Sequence, residues 1–245
     1  MSSAATRARP EVRFPTAPLL DNLKHLLIVW AVGLAVVALA VLLIDLLRLT
    51  ALREWLQSGW VFATDVGLWY IAGWSGYLTY WLAPLYVSHG RTRREAAAEG
   101  GLLLLGLALV ATIAVIAGFL VEHAFLGLIG WEPGIPESRG FASHFDVLGM
   151  IGVFLPAFIL AAAGAAVVGA AVYRFPASGW AMILPVLLLF VLYILISATS
   201  LGIALSGIEA GPAPFPLRLL TFVGTLAAFA GLAWLFIRNT PVRTT

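Results

Sequence analysis

Residues 101–121 read GLLLLGLALVATIAVIAGFLV, a run without one charged side chain. A helix needs about 20 apolar residues to cross the hydrocarbon core of a bilayer. A run that is apolar on every side has no solvated face, so lipid is the solvent it is built for. Five more runs repeat the pattern, at about 26–47, 60–87, 147–173, 179–200 and 216–237. The chain therefore reads as an all-α polytopic membrane protein with six transmembrane helices, because only helices satisfy their backbone internally in lipid without closing a barrel. Composition agrees: 62% of the 245 residues are hydrophobic and 11% are charged, against about 25% charged in soluble domains. Mean hydropathy is +1.00. Residues 1–17 read as a flexible cytoplasmic N-terminus, 18–237 as a single transmembrane domain and 238–245 as a cytoplasmic tail. Pro185 inside the fifth run predicts a kink there.

Positive charge orients the runs. With the N-terminus inside, the cytoplasmic segments hold Arg7, Arg9, Arg13, Lys24, Arg91, Arg93, Arg94, Arg174, Arg238 and Arg243. The outer segments hold only Arg48, Arg53, Arg139 and Arg218. That bias places both termini in the cytoplasm. The outer segment from Glu122 to Asp146 is acidic. The first 25 residues lack the short apolar region and cleavage site of a signal peptide. Pro18 can open an amphipathic helix whose Leu19, Leu20, Leu23, Leu26 and Leu27 face the membrane interface; the alternative is an early start to the first span. The chain has no cysteine, which excludes disulfides and thiolate chemistry. Its net charge of +2 comes without a basic stripe or stacking platform, so no nucleic-acid partner is expected.

The inner loop between the second and third runs reads SHGRTRREAAAEG from Ser88 to Gly100. Gly90 can end the second helix. Thr92 and Glu95 have the spacing of a capping box, so a helix should begin there. Ala96, Ala97 and Ala98 favour it, and Gly100 with Gly101 allows a turn into the third span. The expected result is a short charged helix lying across the cytoplasmic face. It suits a handle for a moving partner; it equally suits an arginine anchor that only fixes topology.

Gly90-Arg91-Thr92-Arg93-Arg94 resembles the Gly-x-Thr-Arg-Arg of bacterial permeases of ATP-binding-cassette exporters of the ABC-2 type. An interfacial N-terminal helix, six spans and internal termini are similar to that family as well. The resemblance implies a coupling helix carrying Arg91, Thr92, Arg93, Arg94, Glu95 and Glu99, set in the inner (plasma) membrane of a bacterium. It implies two copies of a separate ATPase subunit that hold ATP and Mg, and a second permease, expected as an identical copy. This chain carries no Gly-x-x-x-x-Gly-Lys phosphate loop, so it is expected to be no enzyme and to hold no cofactor itself. Glu122 resembles the family's acidic residue at the outer end of the third span. Together with Asp65 it is a candidate charged gate, since ionisable groups at membrane depth are functional suspects. Asp45, near the outer end of the first span, is a suspect of the same kind. The resemblance also implies a pathway lined by the second and fifth spans, for a hydrophobic or amphipathic compound such as a drug, natural product or lipid.

Tyr70, Trp74, Tyr77 and Trp81 recur at helical spacing on the second span. Such a stripe can stack on a substrate or simply pack on neighbouring helices. Phe190 and Tyr193, with Ser197, are the facing candidates on the fifth span. Ala161, Ala165 and Gly169 form a ladder of small residues that lets another helix approach closely. Gly73-Trp74-Ser75-Gly76 has the Gly-x-Ser-Gly pattern of rhomboid proteases, but the histidines fall at span ends or in loops, away from a serine nucleophile. Glu122, His123, His144 and Asp146 are suitable ligand types without ligand spacing, so no metal site is expected. The competing reading of the whole chain is a non-ABC membrane protein, either an assembly partner or a transporter of another kind.

Overall fold

The computed structural model describes residues 24, 25, 28, 31–33, 35, 36, 39, 43, 60–88, 92–128, 130, 143, 145–175 and 215–238. Four long helices carry most of them: α1 (Trp60–Ser88), α2 (Arg93–Leu128), α3 (Val147–Arg174) and α4 (Phe215–Arg238). The described residues contain no strand. Three of the helices, α2, α3 and α4 from Pro216, are long and apolar enough to cross a membrane. They mark the chain as a membrane protein. The helix α1 falls outside that set because its Trp and Tyr residues count as half-polar in hydropathy, although Asp65 is its only charge. Expected runs five (179–200), with Pro185, Phe190, Tyr193 and Ser197, and most of run one, with Asp45, lie outside the described residues.

The outward faces are as apolar as the interior. Ile28, Val32, Val36, Leu39 and Leu43 are exposed at helical spacing, as are Leu105, Leu109 and Ile113 on α2 and Leu220 and Val223 on α4. In water such patches would drive association; in lipid they are the required surface. Three threonine hydroxyls are satisfied locally: Thr79, Thr112 and Thr221 each donate to the carbonyl one turn back, at 2.8–2.9 Å.

The helix α3 is the hub and packs against the other three. Its contacts with α1 are the most extensive, and small residues are the reason. Ala72 of α1 clusters with Ala161 and Ala165 of α3. A Cβ on Gly169 would lie 2.1 Å from the Gly76 carbonyl oxygen, so the two backbones touch there. The ladder read in the sequence is the α1–α3 crossing. On its other side α3 meets α2 through Phe119, Phe154 and Phe158, stacked at 6.0 and 6.3 Å. Phe229 of α4 packs on Leu160 and Val167.

Contacts between helix ends set direction. Trp60 at the start of α1 meets Glu122 near the end of α2. Tyr80 of α1 meets Tyr173 of α3, and Arg174 meets Leu235 of α4. Thus α1, α3 and α4 run one way and α2 runs against them. Asp146 caps α3, accepting the Gly149 N–H at 2.9 Å. Pro156 sits within α3 without ending it, as spanning helices tolerate when neighbours support the freed carbonyl.

One expectation is corrected. The third run does not begin at residue 101 after a separate coupling helix: α2 is one helix of 36 residues from Arg93 to Leu128. Two adjacent glycines cost about 1 kcal/mol each in a helix, which is not a break. Gly100 and Gly101 have open space around them, and their φ values are not positive. Strong helix formers flank them on both sides. At about 1.5 Å per residue α2 is roughly 54 Å long, well beyond a hydrocarbon core of about 30 Å. Its charged first turns therefore lie beyond the apolar core while staying packed on the bundle, with Ala96 and Glu99 buried. The HAFLG stretch after Glu122 extends the same helix outward.

Candidate functional site

The basic end of the bundle comes first. Thr92 N–H donates to Glu95 Oε2 at 2.9 Å, and Glu95 N–H donates to Thr92 Oγ1 at 3.2 Å. This is the reciprocal capping box expected from Thr-x-x-Glu. Arg93 Nη1 donates to the carbonyl of Arg238, the last residue of α4. Arg174 Nη1 reaches the Leu235 carbonyl at 3.4 Å, and its guanidinium carbon lies 5.3 Å from the Phe175 ring centroid. These arginines satisfy carbonyls left open at a helix C-terminus and complement its dipole. Arg94 is exposed. Glu99 departs from the expected handle: it follows Ala96 onto the face that continues through Leu103 and Leu107, and it is buried inside the bundle. Arg91 lies outside the described residues.

The aromatic stripe is a real stack. Tyr70 and Trp74 lie 6.4 Å apart, Trp74 and Tyr77 5.3 Å, both nearly parallel, and Trp81 continues at 6.2 Å. These separations fall in the range of favourable ring pairs. Its two ends differ. Tyr70 and Trp74 pack against the core, whereas Tyr77 and Trp81 are 51% and 58% exposed. Trp69, Tyr77, Tyr80 and Trp81 form one wall of a groove of about 480 Å³; Ala165, Val168, Gly169 and Val172 of α3 form the other. Helix periodicity shows the stripe, but only the α1–α3 crossing makes it a wall.

His25 lies against Trp74 with ring centroids 6.3 Å apart. The rings meet at a tilt, as one more aromatic pair on the stripe, and His25 itself is exposed. Ser75 is fully buried, and its hydroxyl has no hydrogen-bond partner among the described residues.

Glu122 is buried, and its Oε1 accepts the Trp60 N–H at 2.9 Å. It thereby satisfies one of the open donors at the start of α1. Trp60 is anchored again by Nε1, which donates to the Val115 carbonyl at 2.9 Å. Nothing in the sequence signals this tie, since its partners are 62 residues apart. His123 packs edge-on against Phe145 at 4.8 Å, while Asp146 serves as the α3 cap. No three metal-ligating side chains come together among the described residues. Asp65 lies in α1, with its side chain outside the described set.

No family model matches the chain, and neither a curated protein nor a solved structure is significantly similar to it.

Proposed function

We propose that this chain is the membrane-spanning permease subunit of an ATP-binding-cassette exporter of the ABC-2 type. It works as a pair of identical copies in a bacterial inner membrane, and two separate ATPase subunits supply ATP and Mg. The cargo is a hydrophobic or amphipathic compound held along the aromatic groove of α1. The observation that carries the reading is the capped, arginine-bearing start of α2, which presents Thr92 and Arg94 on the surface at the basic end of the bundle.

Connectivity supports six spans. The end of α3 lies beside the end of α4, so the start of α4 is at the far end of the bundle. Residues 176–214 must carry the chain back along that length, which the fifth apolar run suits. Arg93, Arg174 and Arg238 gather at one end, in keeping with a cytoplasmic face there. Since the chain has no cysteine, single cysteines report orientation cleanly. An impermeant thiol reagent applied outside should label Ser143→Cys and leave Ala98→Cys unlabelled until the membrane is opened. The reverse pattern would overturn the orientation.

The non-ABC alternative draws on the continuity of α2: without a separate helix lying across the face, the arginines need only anchor topology. Coupling separates the two readings. Thr92→Ala with Glu95→Ala removes the box at about 0.5–2 kcal/mol and leaves every arginine in place. Arg94→Gln removes a rim charge without touching the Arg93 contact to α4. Combined, they should abolish capture of an ATPase subunit in mild detergent and ATP-driven export in vesicles, with the labelling pattern unchanged. Full capture and export by the combined variant would sink the ABC reading.

A further inference from the structure

A second cavity, of about 360 Å³, lies where all four helices meet beneath the basic end. Its size falls within the usual range of ligand pockets, about 300–1,000 Å³. Small side chains create it: Ala96, Ala97 and Gly100 on α2 face Ala162 and Ala166 on α3 and Ala233 on α4. Protein interiors rarely leave such space unfilled. The lining is apolar apart from a few polar tips, and the Thr79 hydroxyl is already bonded to the Ser75 carbonyl. Water would find few partners there. Part of the rim, Leu105 and Ala230, is exposed on the outward face that meets lipid.

Charge stands directly over this space. Arg93 and Arg94 precede Ala97 by four and three residues, so they share its helix face. Side chains lean toward the N-terminus of their helix, which carries these two outward from the cavity mouth. On α4, Arg238 follows the lining residue Trp234 by four residues and sits next to Ile237, also in the lining. The contact between Arg93 and the Arg238 carbonyl holds the two sides together. Of the nearby acids, Glu95 is engaged in the cap and Glu99 is buried.

We propose that this junction is a binding site for an anionic phospholipid of the inner leaflet, with an acyl chain in the cavity and the phosphate among Arg93, Arg94 and Arg238. Basic pockets between spanning helices on the cytoplasmic side recognise anionic headgroups in this way. The site is separate from the aromatic groove and is independent of an ATPase partner.

The test uses the whole chain, without any ATPase, in nanodiscs of mixed phosphatidylglycerol and phosphatidylcholine. Native mass spectrometry then counts the lipids retained after the disc is stripped. Wild-type protein should keep phosphatidylglycerol in preference to phosphatidylcholine. Arg94→Gln with Arg238→Gln should reduce that preference by roughly fivefold per arginine. Ala230→Phe fills the cavity from its rim and should release both lipids. Ala97→Leu fills it from α2 and serves the same purpose should Ala230→Phe not remain monodisperse. Equal retention of the two lipids by wild-type protein overturns the proposal. So does an anionic preference undiminished by both the arginine and the filling variants. Displacement of the retained lipid by inorganic phosphate at equal concentration would show a headgroup site without an acyl slot, and would also overturn it.

Discussion

Trp60→Ala is expected to be the most damaging single substitution among the described residues, lowering stability by about 3 kcal/mol. That is the lower end of the range for removing a buried aromatic. The lower end applies because lipid is as apolar as the bundle interior, so packing is lost but little transfer energy. The indole is 1% exposed and lies over Gly118, where a Cβ would stand 1.9 Å from the ring. It is bonded at both ends, to Glu122 through the backbone and to Val115 through Nε1. Truncation empties that space and removes the Nε1 bond to Val115, leaving only the backbone bond to Glu122 between the start of α1 and α2. Trp60→Phe keeps most of the packing and loses the Nε1 bond, at a cost of about 1 kcal/mol. Gly118→Ala pushes on a ring that cannot swing aside and should cost about 1–3 kcal/mol. Unfolding in mixed detergent and SDS ranks the three. A tolerated Trp60→Ala beside a harmful Trp60→Phe would refute the pinning role.

The second large effect concerns two glycines near the same helix crossing. Gly169→Ala should destabilise the bundle by about 1–3 kcal/mol, even though alanine is favoured over glycine in a helix by about 1 kcal/mol. Its new methyl would meet the Gly76 carbonyl carbon and Cα at 3.0 and 3.2 Å as well as the oxygen, and a backbone has no rotamer with which to yield. Gly73→Ala lies one turn from the same crossing and meets nothing within 4 Å. It should be neutral or stabilising. Thermal unfolding in detergent distinguishes the pair; equal behaviour would mean that α1 and α3 are not in backbone contact.

Local signals in the sequence carried well into the structure. The apolar runs at 60–87, 147–173 and 216–237 end within a residue or so of α1, α3 and α4, because the chain turns polar where each leaves lipid. The Thr92–Glu95 box depends on four consecutive residues, so spacing alone reveals it. The small-residue ladder announced a close approach, though not which helix makes it. Gly100–Gly101 misled, since glycine permits a turn without demanding one, and packing of Leu103 and Leu107 favoured a continuous helix. The burial of Glu99 follows from that continuity: once the helix does not break, its phase puts position 99 on the core side. The Glu122–Trp60 tie and the groove beside Tyr77 depend on partners in separate helices, and no pattern within one segment encodes them.

An unbroken α2 also has a mechanical meaning. The helix joins the capped turn at Thr92 to the Trp60 anchor near its opposite end, with no joint between them. Displacement along the axis of such a rod arrives at the far end without loss, whereas a separate crossing helix would have to pivot first. A pull on the Thr92 end thus reaches the α1 anchor through Glu122 and Val115, near the opposite end of the same helix.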